Sequence, residues 1–319
     1  MEYRTLGSTG TEVSELCFGT WRFGKESGGV LETDREQAHR LLDAAAEAGI
    51  NFIDTANVYG DVNGTSENWI GEWLADRDRE KFVLASKVYF EFDDGPNNSG
   101  LGRKHIRDQI EGTLDRLGTS YLDVYYIHRW DESTPVEETL QTLDGLVDDG
   151  LVNHLGASTM AAWQLTKALW TSDVENYQSF DVTQPRFNAA YRDPVSEYLD
   201  VCESEKLAVC PYSPLEGGFL TGKYDRETDA PENSRAALEN WDGASGERAW
   251  SVLDAVQSVA SELDATPAQV ALRWLIEREA FTCVPIVGAR TVGQLEENVQ
   301  AAELSLSAEQ RERIEEASQ

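Results

Sequence analysis

The feature that most constrains this chain is an alternation repeated eight times, a short apolar run followed by a stretch of helical period. The apolar runs fall at residues 16–20, 51–53, 82–86, 122–127, 152–157, 182–183, 207–211 and 281–285. Short strands that are apolar throughout belong in a sheet covered on both faces. Between them come helical stretches at 34–48 (Ala38, Leu41, Leu42, Ala45 and Ala46 on one face), 67–74, 104–117, 135–149, 161–170, 194–205, 249–263, 267–277 and 292–301. A last helix at 307–317 opens on Ser307 with Gln310 at the capping-box position. Regular strand–helix alternation implies a parallel α/β sheet. Eight repeats favour closure into a (β/α)8 TIM barrel, and the missing GxGxxG after the first strand counts against an open dinucleotide-binding sheet. Residues 1–16, with Gly7 and Gly10, read as a hairpin capping that barrel, and the additional C-terminal helices lie outside its repeat. No composition break divides residues 1–319, so a single domain is expected. The stretch 213–247 is too long for a plain connector and is expected to be functional.

Composition narrows the partners. There are 58 acidic and 27 basic residues, a formal charge of −31, with the acids spread along the chain. Such a surface repels nucleic acid and anionic membranes. Its self-repulsion is relieved by salt, which points to a salt-adapted, halophilic cytoplasm. No apolar run reaches the ~18 residues of a membrane span, and Met1-Glu2-Tyr3-Arg4 lacks the design of a signal peptide. A cytoplasmic location is therefore expected. Cys17, Cys202, Cys210 and Cys283 show no CxxC spacing and read as buried free thiols, and His39, His105, His128 and His154 show no metal spacing.

The chemistry gathers at strand ends. Asp54 follows the second strand and Tyr59 lies in its loop; Lys87 follows the third strand and His128 the fourth. In a barrel of this kind the C-terminal strand ends form the working face. Taken singly, each residue has a plain structural use as a helix cap, rim aromatic, surface ion or packed ring. Together they form a proton-donating set. A free phenol titrates near pH ~10; an ammonium beside it is expected to lower that value, a carboxylate to keep the ammonium charged, and an imidazole to orient the substrate oxygen. No nucleophile motif accompanies them, so a hydride from a nicotinamide is the natural partner reagent.

The segments "GINFIDTANVYG", "ASKV", "YLDVYYIHRWD", "LGAST", "CPYSPLEGGFLTGKY" and "VPIVGARTVGQLEEN" resemble the aldo-keto reductase superfamily nearly end to end, in order and spacing. The narrower likeness of "YIHRWDESTPVEET" and "GASTMAAWQ" is to its aryl-alcohol dehydrogenase-like branch. The resemblance implies NADPH-dependent (NADH possible), reversible reduction of aldehydes and ketones, with Tyr59 as general acid supported by Asp54, Lys87 and His128. It implies that Ser158 and Gln184 hold the nicotinamide carboxamide, that Tyr212 stacks on the ring, and that Gly19, Thr20, Trp21 and Asp54 line the mouth beside it. Ser213, Leu215, Gly217 and Lys223 would follow the pyrophosphate. Gly288 and Arg290 would take the 2′-phosphate, and Gln294 and Asn298 the adenine.

Two departures stand out. Thr159 replaces the asparagine usual after Ser158, and Glu216 places a charge inside the phosphate loop. Trp21, Tyr89, Phe90 and Trp130, with Tyr59 and His128, offer walls for an apolar or aryl substrate, or pack beneath a loop. Two other functions fit the same residues, a non-catalytic nicotinamide-nucleotide sensor or regulatory subunit, and a Schiff-base aldolase using Lys87. The first is disfavoured because neither terminus carries an added partner segment, the second by the adenosine-end motif. The substrate is a small carbonyl compound of unspecified identity, and the oligomeric state is open.

Overall fold

In the computed structural model, residues 1–226 and 246–317 are described, with residues 231, 234 and 237 between them. Eight parallel strands make one sheet: β3 (Cys17–Gly19), β6 (Phe52–Asp54), β7 (Val83–Val88), β8 (Leu122–Ile127), β9 (Val152–Ser158), β10 (Phe180–Gln184), β11 (Ala208–Val209) and β12 (Ile286–Val287). Neighbours follow chain order, and β12 returns to β3 through Ile286 opposite Cys17. The ring closes where Val209 bridges Cys283, with the Val209 N–H on the Thr282 carbonyl at 2.8 Å and the Val284 N–H on Val209 at 2.9 Å. The chain is thus a (β/α)8 barrel.

Strand periodicity fills its interior. Alternate residues of a strand share a face, and Cys17, Phe52, Val83, Ala85, Val124, Tyr126, Val182, Ala208, Cys210, Val284 and Ile286 form one inner cluster. Gly156 makes room for it: a Cβ there would lie 2.3 Å from the Tyr126 ring. Residues of the other parity, such as Ile53, Leu84, Tyr125, Ile127 and Leu155, join the outer core. There they meet Leu41 and Leu42 of α1 (Arg35–Glu47), Ile106 and Ile110 of α3 (Arg103–Leu117), and Leu140 and Leu143 of α4 (Val136–Asp148).

The hairpin β1 (Tyr3–Thr5) and β2 (Glu12–Ser14) plugs the N-terminal end. Leu6 and Val13 enter the inner cluster, and Gly7, with φ of +59°, sits so close that a Cβ would meet the Asp181 carbonyl at 2.7 Å. His154 clamps it, contacting Thr11 Oγ1 at 2.8 Å and Asp181 Oδ2 at 3.1 Å.

The circuit is completed by α2 (Thr65–Leu74), α5 (Ala162–Glu175) and α6 (Ser196–Ser204), then α7 (Glu247–Leu263), α8 (Pro267–Ile276), α9 (Val292–Val299) and α10 (Ala308–Glu316). A satellite core including Phe187, Phe219, Val252, Trp274 and Ile314 holds α7 and α10 onto the barrel. Ser307 and Gln310 form the expected capping box.

Several boundaries differ from expectation. The last strand is regular only at Ile286–Val287 rather than 281–285, because Pro285 has no N–H to give the ladder. Residues 292–301 are an α-helix only to Val299, then a 3₁₀ turn at Gln300–Glu303. The 213–247 stretch contains a 3₁₀ segment, Glu216–Thr221; most of 227–245 lies outside the described residues. A rim hairpin of β4 (Glu26–Ser27) and β5 (Val30–Leu31) is added, turning on Gly28-Gly29, both at positive φ.

Candidate active site

Extending the inward parity of each strand by two residues predicts what faces the C-terminal mouth. Phe52 leads to Asp54, Ala85 to Lys87, Tyr126 to His128, Gly156 to Ser158, Val182 to Gln184 and Cys210 to Tyr212. All six lead-ins are inner residues, and Asp54, His128, Ser158, Gln184 and Tyr212 line one cleft of about 690 Å³ with Tyr59.

Lys87 is fully buried and all three ammonium protons are placed: Asp54 Oδ1 at 2.6 Å, the Thr55 carbonyl at 2.6 Å and Tyr59 Oη at 3.0 Å. The other carboxylate oxygen of Asp54 accepts from Gln184 Nε2 at 2.8 Å, and Ser158 Oγ donates to the Gln184 carbonyl at 2.8 Å. One hydrogen-bonded chain therefore runs Ser158–Gln184–Asp54–Lys87–Tyr59. An ammonium only donates, so the Tyr59 oxygen accepts from Lys87 and its own proton is left for the cleft.

The electrostatics correct one expectation. The Tyr59 pKa is raised, not lowered: burial pushes it up, and the charge of Lys87 offsets only part of this. Burial alone would lower the Lys87 pKa, but Asp54 and Tyr59 outweigh it and the net direction is upward. The result is a protonated phenol against a charged ammonium. His128 stands edge-on to Tyr59 with centroids 5.9 Å apart, and Phe90 packs on its other side at 4.9 Å. Burial, then the charge of Lys87, holds the His128 pKa well below the usual range, so the ring is neutral. Its Nδ1 is buried and has no hydrogen-bond partner among the described residues.

Away from this centre the cleft is lined by Gly19, Trp21, Ser213, Leu215, Gly217, Lys223, Gly288, Arg290, Gln294 and Asn298. Thr20 is not on that wall. It is buried, donating to the Asp54 carbonyl at 2.9 Å and accepting from Ser66 at 2.8 Å, so it fixes the tip of β6 from behind. Tyr89 and Trp130 also lie elsewhere, lining a neighbouring cavity of about 860 Å³. Gln294 turns its side-chain oxygen back to the Arg290 N–H at 2.9 Å. Glu216 is fully buried, pairing with Arg186 and accepting from Asn188 Nδ2 at 2.5 Å, so its charge is spent inside the fold. Phe90, Arg129, Gly218, Thr221 and Glu297 also line the cleft, and of these only Phe90 had been singled out in the sequence.

An elongated phosphate-bearing group fits this wall. Ser213, Glu216, Gly217 and Gly218 all have positive φ, turning the backbone sharply beside the cleft, and a Cβ on Gly218 would lie 2.7 Å from Lys223 Nζ. The pKa of Lys223 is lowered by partial burial, then by Arg290 and Arg22, so three cations crowd one end of the cleft. Thr159, the departure from the asparagine pattern, has φ of +48°, a strained setting for a β-branched residue. Among the described residues no group of side chains has the makings of a metal site, and no helix is long and apolar enough to cross a membrane. The four cysteines are free and buried.

The profile of the aldo/keto reductase family matches residues 15–319. An uncharacterized oxidoreductase of Bacillus subtilis, YrpG, is 36% identical over 97% of this chain and 93% of its own. A probable voltage-gated potassium channel subunit beta of Oryza sativa subsp. japonica is 35% identical, covering 95% and 92%. The norsolorinic acid reductase stcV of Emericella nidulans is 35% identical, covering 94% and 77%. The residues 15–319 that match take in every strand of the barrel and the whole hydrogen-bonded chain at its mouth, and the protein belongs to the aldo/keto reductase family.

Proposed function

We propose that the protein reduces aldehydes and ketones to alcohols with NADPH, reversibly, and that Tyr59 is the general acid. The observation that carries this is the placement of the three Lys87 protons, which leaves a protonated Tyr59 facing the cleft. NADPH, when bound, supplies a hydride to the carbonyl carbon. Tyr59 gives its proton to the carbonyl oxygen, and Lys87 stabilises the phenolate that remains. Asp54 keeps Lys87 charged, and neutral His128 orients the substrate oxygen. Ser158 and Gln184 would hold the carboxamide, with Tyr212 against the ring. Lys223 would meet the pyrophosphate and Arg290 the 2′-phosphate, where a guanidinium fork suits NADPH over NADH.

The aryl-alcohol dehydrogenase-like reading of the substrate is supported by the aromatic walls of the mouth. A cytoplasmic, salt-adapted setting is supported by the −31 charge. The relatives named as potassium channel subunits beta favour one second reading, a nucleotide-binding regulatory subunit.

Turnover decides between them. Wild-type protein is expected to reduce 4-nitrobenzaldehyde with NADPH, and Tyr59→Phe to lose about 10²–10⁴-fold in rate while binding NADPH with unchanged affinity. Near-normal turnover by Tyr59→Phe would refute the assignment, and inert wild-type protein that binds NADPH would favour the regulatory reading.

A further inference from the structure

The loop after β8 has a charge arrangement that the proton-donating chain does not use. Arg129 directly follows His128, is exposed, and lies on the wall shared by the cleft and the 860 Å³ cavity beside it. In a chain with 58 acidic residues, its guanidinium has no ion pair or hydrogen bond among the described residues.

Asp131, Glu132, Asp193 and Glu197 line the same cavity, and three of them are engaged with the protein's own groups, Asp193 with Arg248. Asp131 accepts from the Ser133 N–H at 2.8 Å, the Ser133 hydroxyl at 2.6 Å, the Thr134 hydroxyl at 2.7 Å and the Leu101 N–H at 2.8 Å. Burial would raise its pKa, but these donors hold it down at about 2. Glu132 accepts from Gln164 Nε2 at 2.9 Å. The loop's carboxylates, though on the cavity wall, are hydrogen-bonded to the protein's own donors, whereas its cation has no such partner among the described residues. Arg186, the other arginine of the larger cavity, is paired with Glu216 and stacked 4.2 Å over Tyr191. Among the described residues Arg290 is the other arginine with no side-chain partner, and it stands at the end of the cleft assigned above to a phosphate.

The walls around Arg129 say what should accompany the charge. Tyr89, Trp130, Met160, Tyr191 and Tyr198 give the larger cavity flat aromatic and apolar surfaces. Thr159 and Tyr212, like Arg129, line both spaces, so the two cavities are immediate neighbours. An unpaired guanidinium beside such walls suits a planar carboxylate on an aromatic body, which it can grip through two parallel N–H bonds.

We propose that the 860 Å³ cavity receives the body of the substrate and that Arg129 binds a carboxylate on it, so that the enzyme selects aromatic carbonyl compounds bearing an acid group. This rests on the reductase reading and names its substrate class. The reaction balances without further reagents. The carbonyl carbon would take the hydride that bound NADPH supplies, with NADP⁺ left behind; Tyr59 would protonate the oxygen and regain its proton from solvent, and the remote carboxylate would stay ionised.

The test compares 3- and 4-carboxybenzaldehyde with their methyl esters, in wild type, Arg129→Met and Arg129→Lys, at saturating NADPH. Wild type is expected to favour at least one acid over its ester by about tenfold or more in kcat/KM, mainly through KM. The ratio should fall to near one in Arg129→Met and recover in part in Arg129→Lys. No acid preference in wild type, or a preference that survives Arg129→Met, overturns the proposal. Quenching of tryptophan fluorescence by 4-(hydroxymethyl)benzoate tests the site without turnover. Saturable quenching in wild type that is lost in Arg129→Met supports it, and none in wild type, with or without NADPH, overturns it. Failure of wild type to reduce any of the four aldehydes sinks the reductase reading instead, and the quenching experiment still decides for Arg129.

Discussion

Asp54→Asn separates the structural from the chemical role of the buried pair. Lys87 and Asp54 are 2.6 Å apart, with side chains 0% and 4% exposed. At an effective dielectric of ~20 that contact is worth roughly 6 kcal/mol of Coulomb attraction, and removing both charges from water costs several kcal/mol per ion. The intact pair therefore contributes little net stability, whereas breaking it leaves a buried ammonium unpaired, at a cost of about 3–5 kcal/mol.

Asparagine cannot substitute. The carboxylate serves two donors, Lys87 and Gln184, and an asparagine has one acceptor oxygen, so one donor must face an NH₂ group. Against a typical ~5–15 kcal/mol of total stability, the loss should be plain in urea unfolding followed by circular dichroism. The double variant Asp54→Asn/Lys87→Met removes the orphaned charge and should regain about 2 kcal/mol or more, while it stays about 10²-fold or more below wild type in carbonyl reduction because Tyr59 has lost its cation. A loss under about 1 kcal/mol in Asp54→Asn, or a double variant no more stable than the single one, would refute the reasoning.

Two further expectations concern pH and salt. The Tyr59 and Lys87 pKa values are raised, so the folded state holds protons that the unfolded chain releases, and stability from these groups is present below about pH 10 and falls as pH rises beyond it. The His128 pKa is depressed, so its contribution is present above about pH 6.5 and is lost as pH falls toward its folded value. The reduction rate should accordingly be flat between about pH 6.5 and 10, and a limb near pH 7–8 in a kcat/KM profile would contradict the assignment of donor and neutral imidazole. The salt reading expects the unfolding midpoint to rise between about 0.1 M and 1 M KCl as the Debye length shrinks from ~10 Å to ~3 Å; calorimetry showing no rise would remove it.

Most of the barrel was legible because strand and helix periods are local. Phe52, Ala85, Tyr126 and Val182 show the inner parity directly, and the same count of two places Asp54, Lys87, His128 and Gln184 at the mouth. Partners across the barrel were not legible. Nothing near Gln184 in sequence says that its amide meets Asp54, 130 residues away, or that Thr20 braces β6 from behind. The Tyr59 pKa was misjudged for a related reason. Sequence shows that an ammonium is present, but the balance between its charge and desolvation depends on burial that only packing sets. Tyr89 and Trp130 follow strand ends as closely as the cleft residues do, yet they turn into the adjacent cavity, a choice made by loop geometry rather than by spacing.

The same contrast between local and long-range terms explains how so acidic a chain can have an anion site. Its −31 charge opposes any anion at a distance. Close in, the order reverses. Of the acids near the working mouth, Glu216 is spent on Arg186 and Asn188, and Asp131 on Ser133, Thr134 and Leu101, while Glu297 stays on the cleft wall. Arg290 and Lys223 crowd together with Arg22, at a mutual cost visible in the depressed pKa of Lys223. A phosphate placed among them relieves that repulsion while adding its own attraction, so the cluster is worth more occupied than empty. Salt removes the distant term first, because widely spaced surface charges are screened before contacts inside a cleft. An acidic shell and an anion-binding mouth are therefore compatible, provided that Arg290 and Lys223 stay close together at the mouth and the shell is bathed in salt.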